Sequence, residues 1–219
     1  MDNSPNGSDL FVSKRISSLD MGLQPDQIVE QYGWDVVLTY RGERPGGPLF
    51  VTDLSHVPKW TLQGRDMDAM RPLDIRMPAR PREVTLEKGV LIARLSPEEC
   101  QIMVFGTSPP SFTDPCYTDT TDAFAAFAVV GKECLEVLSK FSSVDLDEPD
   151  GTPLSAAQAP VEDVRCLLVS IKRDGIEPGL LVSVPRGYGP FLLEVFQDAG
   201  KEFGMAPSGW QRFTTWLKV

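Results

Sequence analysis

The sequence is poor in the residue types that build metal sites and nucleophilic sites. Its 219 residues include a single histidine, His56, and four scattered cysteines with no C-x-x-C pair. One histidine excludes a multi-histidine metal centre, and the cysteine spacing favours buried free thiols over a zinc site. The G-x-S-x-G, G-x-G-x-x-G and G-x-x-x-x-G-K-[ST] motifs are absent, which removes the common nucleophile elbow and nucleotide-binding loops. We therefore predict no metal site, and a Ser-His or Cys-His couple would have to use His56.

Basic residues and long apolar runs are also scarce. Thirty-one acidic residues against 21 basic ones give a formal net charge of −10, which disfavours contact with nucleic-acid phosphates or anionic lipids. The longest apolar run, Ala123–Val130, is far shorter than the roughly 20 residues of a membrane span. The polar N-terminus lacks the pattern of a signal peptide. We expect a cytoplasmic protein that binds neither nucleic acid nor membrane.

Hydrophobic periodicity predicts an α+β fold. Residues 1–30 read as a flexible or partner-docked tail. Apolar spacing at i, i+3, i+4 and i+7 predicts helices over 132–141 and 191–204, and three prolines indicate a loop over 145–160. Short apolar or alternating segments predict strands at 50–54, 59–63, 90–95, 101–105, 125–130, 166–171 and 180–184.

An internal repeat divides the remaining chain. The pattern Trp60-x-Leu62-x-Gly64-Arg65-Asp66 returns as Phe127-x-Val129-x-Gly131-Lys132-Glu133. Each copy reads as a strand, a glycine turn and a helix that opens on a charged pair. The repeat predicts two related halves, about 31–115 and 116–219, that pack on one another.

Several motifs together resemble the glycine-cleavage T-protein (aminomethyltransferase) family. The segment from Val51 to Lys59, followed by Gly64-Arg65-Asp66, is similar to that family's D-[LV]-S-H-M-x-K…G-x-D opening. Residues 177–185 and 203–209 resemble its G-E-x-G-Y-E-[IL]-x-x-P and F-G-x-x-P-x-G motifs. The resemblance implies a folate-binding-type domain of two ferredoxin-like halves without the family's C-terminal barrel. It also implies tetrahydrofolate in a central hole, with a carboxylate and arginines around the pterin.

The chain departs from this family at the folate-binding positions. The acids of the family's G-G-I-x-D-D align with Ile92 and Ala93, and the glutamate of G-Y-E aligns with Leu181. The arginine of A-R-D aligns with Phe213, and L-R-x-E becomes Trp-Leu-Lys-Val at 216–219. Because apolar residues in place of buried charges fill a hole without a desolvation penalty, we predict that the centre is sealed and that this chain binds no cofactor.

The shortened and uncharged version is most similar to the gamma subunits of heterotetrameric sarcosine oxidase. The segments 51–59, 89–99 and 143–146 match motifs of that family. Gamma subunits are structural partners of the subunits that carry folate and flavin. The resemblance therefore implies a non-catalytic subunit of an oxidoreductase complex active in one-carbon (demethylating) metabolism, with the other subunits as its partners.

Two other functions stay open, together with four candidate ligand-binding residues. The first alternative is a working folate-dependent aminomethyl- or methyltransferase, and the second is a stand-alone binding module on the same fold. If folate binds, we predict that Asp53, His56, Glu177 and Tyr188 contact it; otherwise these residues have structural or solvated roles. A basic cluster in a Pro-rich stretch reads either as an exposed connector or as a docking strip for an acidic partner, and consists of Arg71, Arg76, Arg80 and Arg82.

Overall fold

Thirteen strands and three α-helices make up the described part of the chain. The computed structural model describes residues 14–44, 46–106, 111–146 and 153–219. The helices are α1 (Cys134–Ser139), α2 (Gly189–Gly200) and α3 (Trp210–Leu217). The first seven strands are β1 (Pro25–Gln31), β2 (Trp34–Tyr40), β3 (Phe50–Asp53), β4 (Lys59–Gln63), β5 (Val84–Glu87), β6 (Val90–Ser96) and β7 (Glu99–Val104). The remaining strands are β8 (Tyr117–Asp119), β9 (Phe124–Val130), β10 (Leu154–Val161), β11 (Val164–Ile171), β12 (Gly179–Pro185) and β13 (Ala206–Pro207).

The strands form two larger sheets and one two-stranded ribbon. The six-stranded sheet has the order β10-β11-β12-β9-β3-β13, and the five-stranded sheet has the order β5-β6-β7-β4-β8. The ribbon consists of β1 and β2. All pairings between these strands are antiparallel except that of β13 with β3. This arrangement confirms the predicted α+β fold of two ferredoxin-like halves, and β3 crosses the predicted boundary between the halves by pairing with β9.

The six-stranded sheet is buried on both faces because its central strands are predominantly apolar. Successive side chains of a strand point to opposite faces. In β9, Phe127 and Val129 pack toward α1 and α2, whereas Ala126, Ala128 and Val130 face the second sheet and α3. A third apolar cluster covers the outer face of the five-stranded sheet beneath the connector of residues 67–77. The sheet, the helices and the second sheet are therefore stacked as layers around two main cores.

The two copies of the sequence repeat share a strand followed by glycine, but the predicted helix forms as an α-helix only after the second copy. Strand β4 ends before Gly64 and leads into a short 3₁₀ turn at 67–69, and β9 ends before Gly131 and leads into α1. At Gly131 the backbone has φ +141°, and a side chain there would lie 2.2 Å from the carbonyl oxygen of Pro48. Only glycine permits this close approach of the turn to the chain entering β3.

Several elements differ from the sequence prediction. The predicted loop over 145–160 contains β10, and the predicted tail contains β1; residues 1–13 of that tail lie outside the described residues. Proline is tolerated in β10 because β10 is an edge strand, where a missing N–H need not break a pairing. Helix α1 is shorter than predicted. No helix in the described ranges has the length and hydrophobicity that crossing a membrane requires.

Candidate functional site

Three of the positions that align with the family's folate-binding residues meet in the core between the two sheets. Ala93 on β6, Leu181 on β12 and Phe213 on α3 belong to one buried cluster, with exposed fractions of 0, 2 and 0%. Trp216 packs against the same cluster, and its Nε1 donates to the backbone oxygen of Glu177 at 2.8 Å. Aromatic rings contribute to this cluster. Phe213 contacts Trp210, Trp216 and Phe105 at ring-centroid distances of 5.2 to 5.5 Å.

Ile92 does not join this cluster. It lies on the opposite face of β6 and packs with Leu62, Ile102 and Val104 in the outer core. The alternation of side chains along a strand explains the separation, since neighbouring residues cannot share a face. A pterin offers ring N–H groups that need a paired carboxylate, and an apolar cluster leaves such groups unpaired. The residues at these positions therefore do not fit a pterin.

Asp53 and His56, two of the four predicted ligand-binding residues, lie together at a second place. Asp53 ends β3, and its Oδ1 accepts a hydrogen bond from the backbone N–H of Ser55 at 2.8 Å. This turn carries the chain inward to His56, which is 5% exposed and meets the ring of Trp210 edge to face at 4.5 Å. Burial lowers the pKa of His56 to about 3, and the nearby Lys59 charge adds to the shift. Burial raises the pKa of Asp53, while hydrogen bonds from Ser17 and Ser55 and the Lys59 charge oppose that rise.

Lys59 fixes the turn that holds His56. The Lys59 side chain is 0% exposed. Its Nζ donates to the backbone oxygens of Leu54, Ser55 and Val57 at 3.4, 2.9 and 2.8 Å. Burial lowers the pKa of Lys59 to about 7, against the raising effect of nearby carboxylates such as Asp53. The turn is thus wrapped around one buried amine, and substituting Lys59 would leave three carbonyl groups without that donor.

A cleft of about 220 Å³ opens beside this turn, and we call it the β2–α3 cleft. Two buried polar atoms of its lining residues, Trp34 Nε1 and His56 Nε2, have no hydrogen-bond partner among the described residues. The exposed residues Ile16 and Ile28 lie at the outer side of the cleft, and the buried residues Thr52 and His56 lie at the inner side. The full lining is Ile16, Ser17, Leu19, Pro25, Ile28, Trp34, Asp35, Val36, Val37, Tyr40, Thr52, Asp53, His56, Ser208, Gly209 and Trp210.

The start of α3 completes the cleft because Glu43 holds it in place. The Glu43 carboxylate accepts hydrogen bonds from the Ser208 hydroxyl and, at 3.1 Å, from the Gly209 N–H. It also accepts from the Tyr40 N–H at 3.0 Å. A side chain at Gly209 would lie 2.0 Å from the carbonyl oxygen of Leu38, so glycine is required where α3 meets β2. The helix start is therefore tied to the loop that follows β2.

Glu177 and Tyr188, the other two predicted ligand-binding residues, do not line the cleft. Glu177 is exposed in the loop between β11 and β12, and Tyr188 is 53% exposed just before α2. Sequence reasoning missed Trp34, Tyr40 and Ser208, which line the cleft from β2 and from the start of α3. Trp34 and Tyr40 lie in no motif, and the 203–209 motif does not mark its Ser208 as a cleft residue, since β2 and α3 come together only in the fold. Across the described ranges, no three His, Cys, Asp or Glu side chains converge as a metal site requires.

All four arginines of the predicted basic cluster are exposed. The buried Arg94 on β6 holds the connector that carries them, and it donates to the backbone oxygens of Pro78 and Ala79 at 2.9 and 3.0 Å. It also pairs with Asp68 at 2.5 Å. The stretch is thus anchored and exposed, and both sequence interpretations, a connector and a docking strip, require that exposure.

Comparisons with known proteins give a likeness of fold. No family model matches the chain, and no curated protein matches it. Among solved structures, a chain of heterotetrameric sarcosine oxidase from Corynebacterium sp. U-96, in complex with pyrrole 2-carboxylate, is similar at a TM-score of 0.56 and 16% identity. The match covers 72% of this chain and 86% of that chain, which is therefore somewhat the shorter of the two. The described structure has a sarcosine-oxidase-related fold.

Proposed function

We propose that the chain is a non-catalytic structural subunit of a sarcosine-oxidase-like or related demethylating complex. The observation that carries the proposal is the apolar filling of the core by Ala93, Leu181 and Phe213, where the T-protein resemblance expects the folate-binding residues. The fold similarity to a chain of a heterotetrameric oxidase supports the same reading, because that match covers most of the matched chain.

The filled core argues for a structural part in such a complex. The side chains of Ala93, Leu181 and Phe213 have no polar atom with which to bind or orient a reacting group, and an ionised group there would meet a large desolvation cost. The apolar core still stabilises the fold, and the outer surface of the domain is kept. We therefore assign its contribution to holding or orienting other subunits, and we infer that it binds no folate of its own.

The folate-dependent alternative is not proposed. It needs a carboxylate and an arginine at the centre, and the aligned positions are apolar and buried. Binding at the β2–α3 cleft does not restore it, since about 220 Å³ is below the roughly 300–1,000 Å³ of pockets that enclose drug-sized ligands.

The test is reconstitution with candidate partners. The chain is co-expressed with the flavin-carrying subunits of a sarcosine-oxidase-like complex from the same source, and the native mass of the purified product is measured. We expect one complex of defined stoichiometry, with demethylating activity that survives substitution of Asp53 or His56. A native mass that shows a monomer in the presence of these subunits would favour a stand-alone binding module and would overturn the proposal.

A further inference from the structure

The β2–α3 cleft combines access from solvent with a polar interior. Ile16 and Ile28 are 67 and 52% exposed at its outer side, whereas Thr52 and Ser208 are 1 and 0% exposed at its inner side. A volume of about 220 Å³ exceeds that of a single buried water several times over. The space therefore suits a ligand of a few non-hydrogen atoms.

Two side chains of the cleft lack the partners that their burial demands. The indole Nε1–H of Trp34 is a donor, the residue is 1% exposed, and the described part of the chain offers this atom no acceptor. The Nε2 atom of His56, which is 5% exposed, has no partner either. Buried polar groups of folded proteins are nearly always paired, so these two atoms call for a bound group. Burial keeps the His56 ring neutral, and a neutral imidazole has one nitrogen that accepts.

The charged side chains that line the cleft favour a cationic ligand over an anionic one. The lining residues include two carboxylates, Asp35 and Asp53, and no arginine or lysine. Asp35 already pairs with Lys14 at 2.7 Å, so Asp53 is the carboxylate left for the interior of the cleft. Trp34, Tyr40 and Trp210 add aromatic rings, whose faces attract cations, and the Arg186 guanidinium already lies over the Trp34 ring at 5.3 Å. A ligand carboxylate would find no basic side chain in the lining, since the nearby Lys59 ammonium already donates to three backbone oxygens. A protonated amine would find two acceptors, Asp53 and His56.

We propose that the β2–α3 cleft binds a small protonated amine that also carries a neutral oxygen acceptor, as an amino alcohol does. The ammonium group lies toward Asp53 and the acceptor nitrogen of His56, and the oxygen accepts from Trp34 Nε1–H. The proposal is independent of the assembly into a complex, because every residue that it uses belongs to this chain.

The test follows the indole N–H signals of the full chain by ¹⁵N–¹H NMR during titration with three matched probes. The four tryptophans give four indole signals, and the variant Trp34→Phe assigns that of Trp34. The probes are ethanolamine, glycine and ethylene glycol, which share size but differ in carboxylate and amine. We expect ethanolamine to shift the Trp34 signal saturably, with an affinity at least about tenfold above that of either other probe.

Two variants locate the charge recognition. Asp53→Asn keeps the oxygen that accepts from Ser55, and should weaken ethanolamine binding about tenfold. Asp174→Asn, in an exposed loop away from the cleft, should leave binding unchanged. Equal response to all three probes, a Trp34 signal that does not move with ethanolamine, or loss of binding in both variants alike would each overturn the proposal. The probe series on the unsubstituted chain decides the matter even where a variant fails to fold.

Discussion

The buried Lys59 predicts a rise in stability as pH increases above neutrality. The pKa of Lys59 is about 7 in the folded chain against 10.5 for an ordinary lysine. Between these values the unfolded chain carries a proton on this group that the folded chain lacks, so the free energy of unfolding rises with pH. Below pH 7 both states are charged and the dependence ends.

The magnitude follows from the two pKa values of Lys59. Linkage gives a gain of about 1.5 kcal/mol in the free energy of unfolding between pH 7.0 and pH 8.5 for a shift of this size. The window stops at 8.5 because three buried thiols act in the opposite direction at higher pH. Burial raises the pKa of Cys100, Cys134 and Cys166 to about 12 from 9, so the unfolded chain loses those protons first.

The assay is urea unfolding at the two pH values on three proteins. The unsubstituted chain and the variant Lys132→Met, at an exposed position, should both show the gain, and Lys59→Met should not. Comparison of the variants cancels the effect of the thiols, which all three share. A Lys59→Met variant with the same gain as the unsubstituted chain would refute the reasoning. It would mean that the three carbonyl acceptors keep the buried ammonium charged across this window.

Two further changes test the packing of α3. Phe213→Ala should lower the free energy of unfolding by about 3–5 kcal/mol, because it opens a void in the sealed core. Phe213→Leu should lower it by clearly less. Equal losses for the two variants in urea unfolding would contradict that packing. Glu43→Ala should cost about 1–2 kcal/mol by removing the acceptor for the Gly209 N–H, and Glu43→Gln should recover part of the loss in thermal unfolding. An Ala variant as stable as the unsubstituted chain would show that the contact contributes nothing.

Strongly patterned segments revealed much of the fold from sequence. Strand β9 is apolar along its whole length, β12 is apolar except for Ser183, and α2 has a helical apolar face after Pro190, so each follows from local pattern alone. Strand β10 does not follow from the sequence pattern, because its residues are small and include Pro160. Proline is tolerated there because β10 lies at a sheet edge. No helix is predicted for the short α3, because its segment is aligned with the family's A-R-D and L-R-x-E motifs.

The cleft was only half predictable for a different reason. Asp53 and His56 are three residues apart, so one local motif marks both. Trp34 and Ser208 are far apart in sequence. The hydrogen bonds that close the cleft join the Glu43 carboxylate to Ser208 and Gly209 at the start of α3. Such long-range contacts leave no periodic trace, because they depend on how the ribbon and helix pack.

The account depends most on the absence of a folate site in the core formed by Ala93, Leu181 and Phe213. Isothermal titration calorimetry of the isolated chain with tetrahydrofolate tests this directly. The account predicts no saturable heat at any pH between neutrality and pH 8.5. A one-to-one isotherm that Leu181→Ala or Phe213→Ala alters, but a substitution of the exposed Lys132 does not, would contradict it.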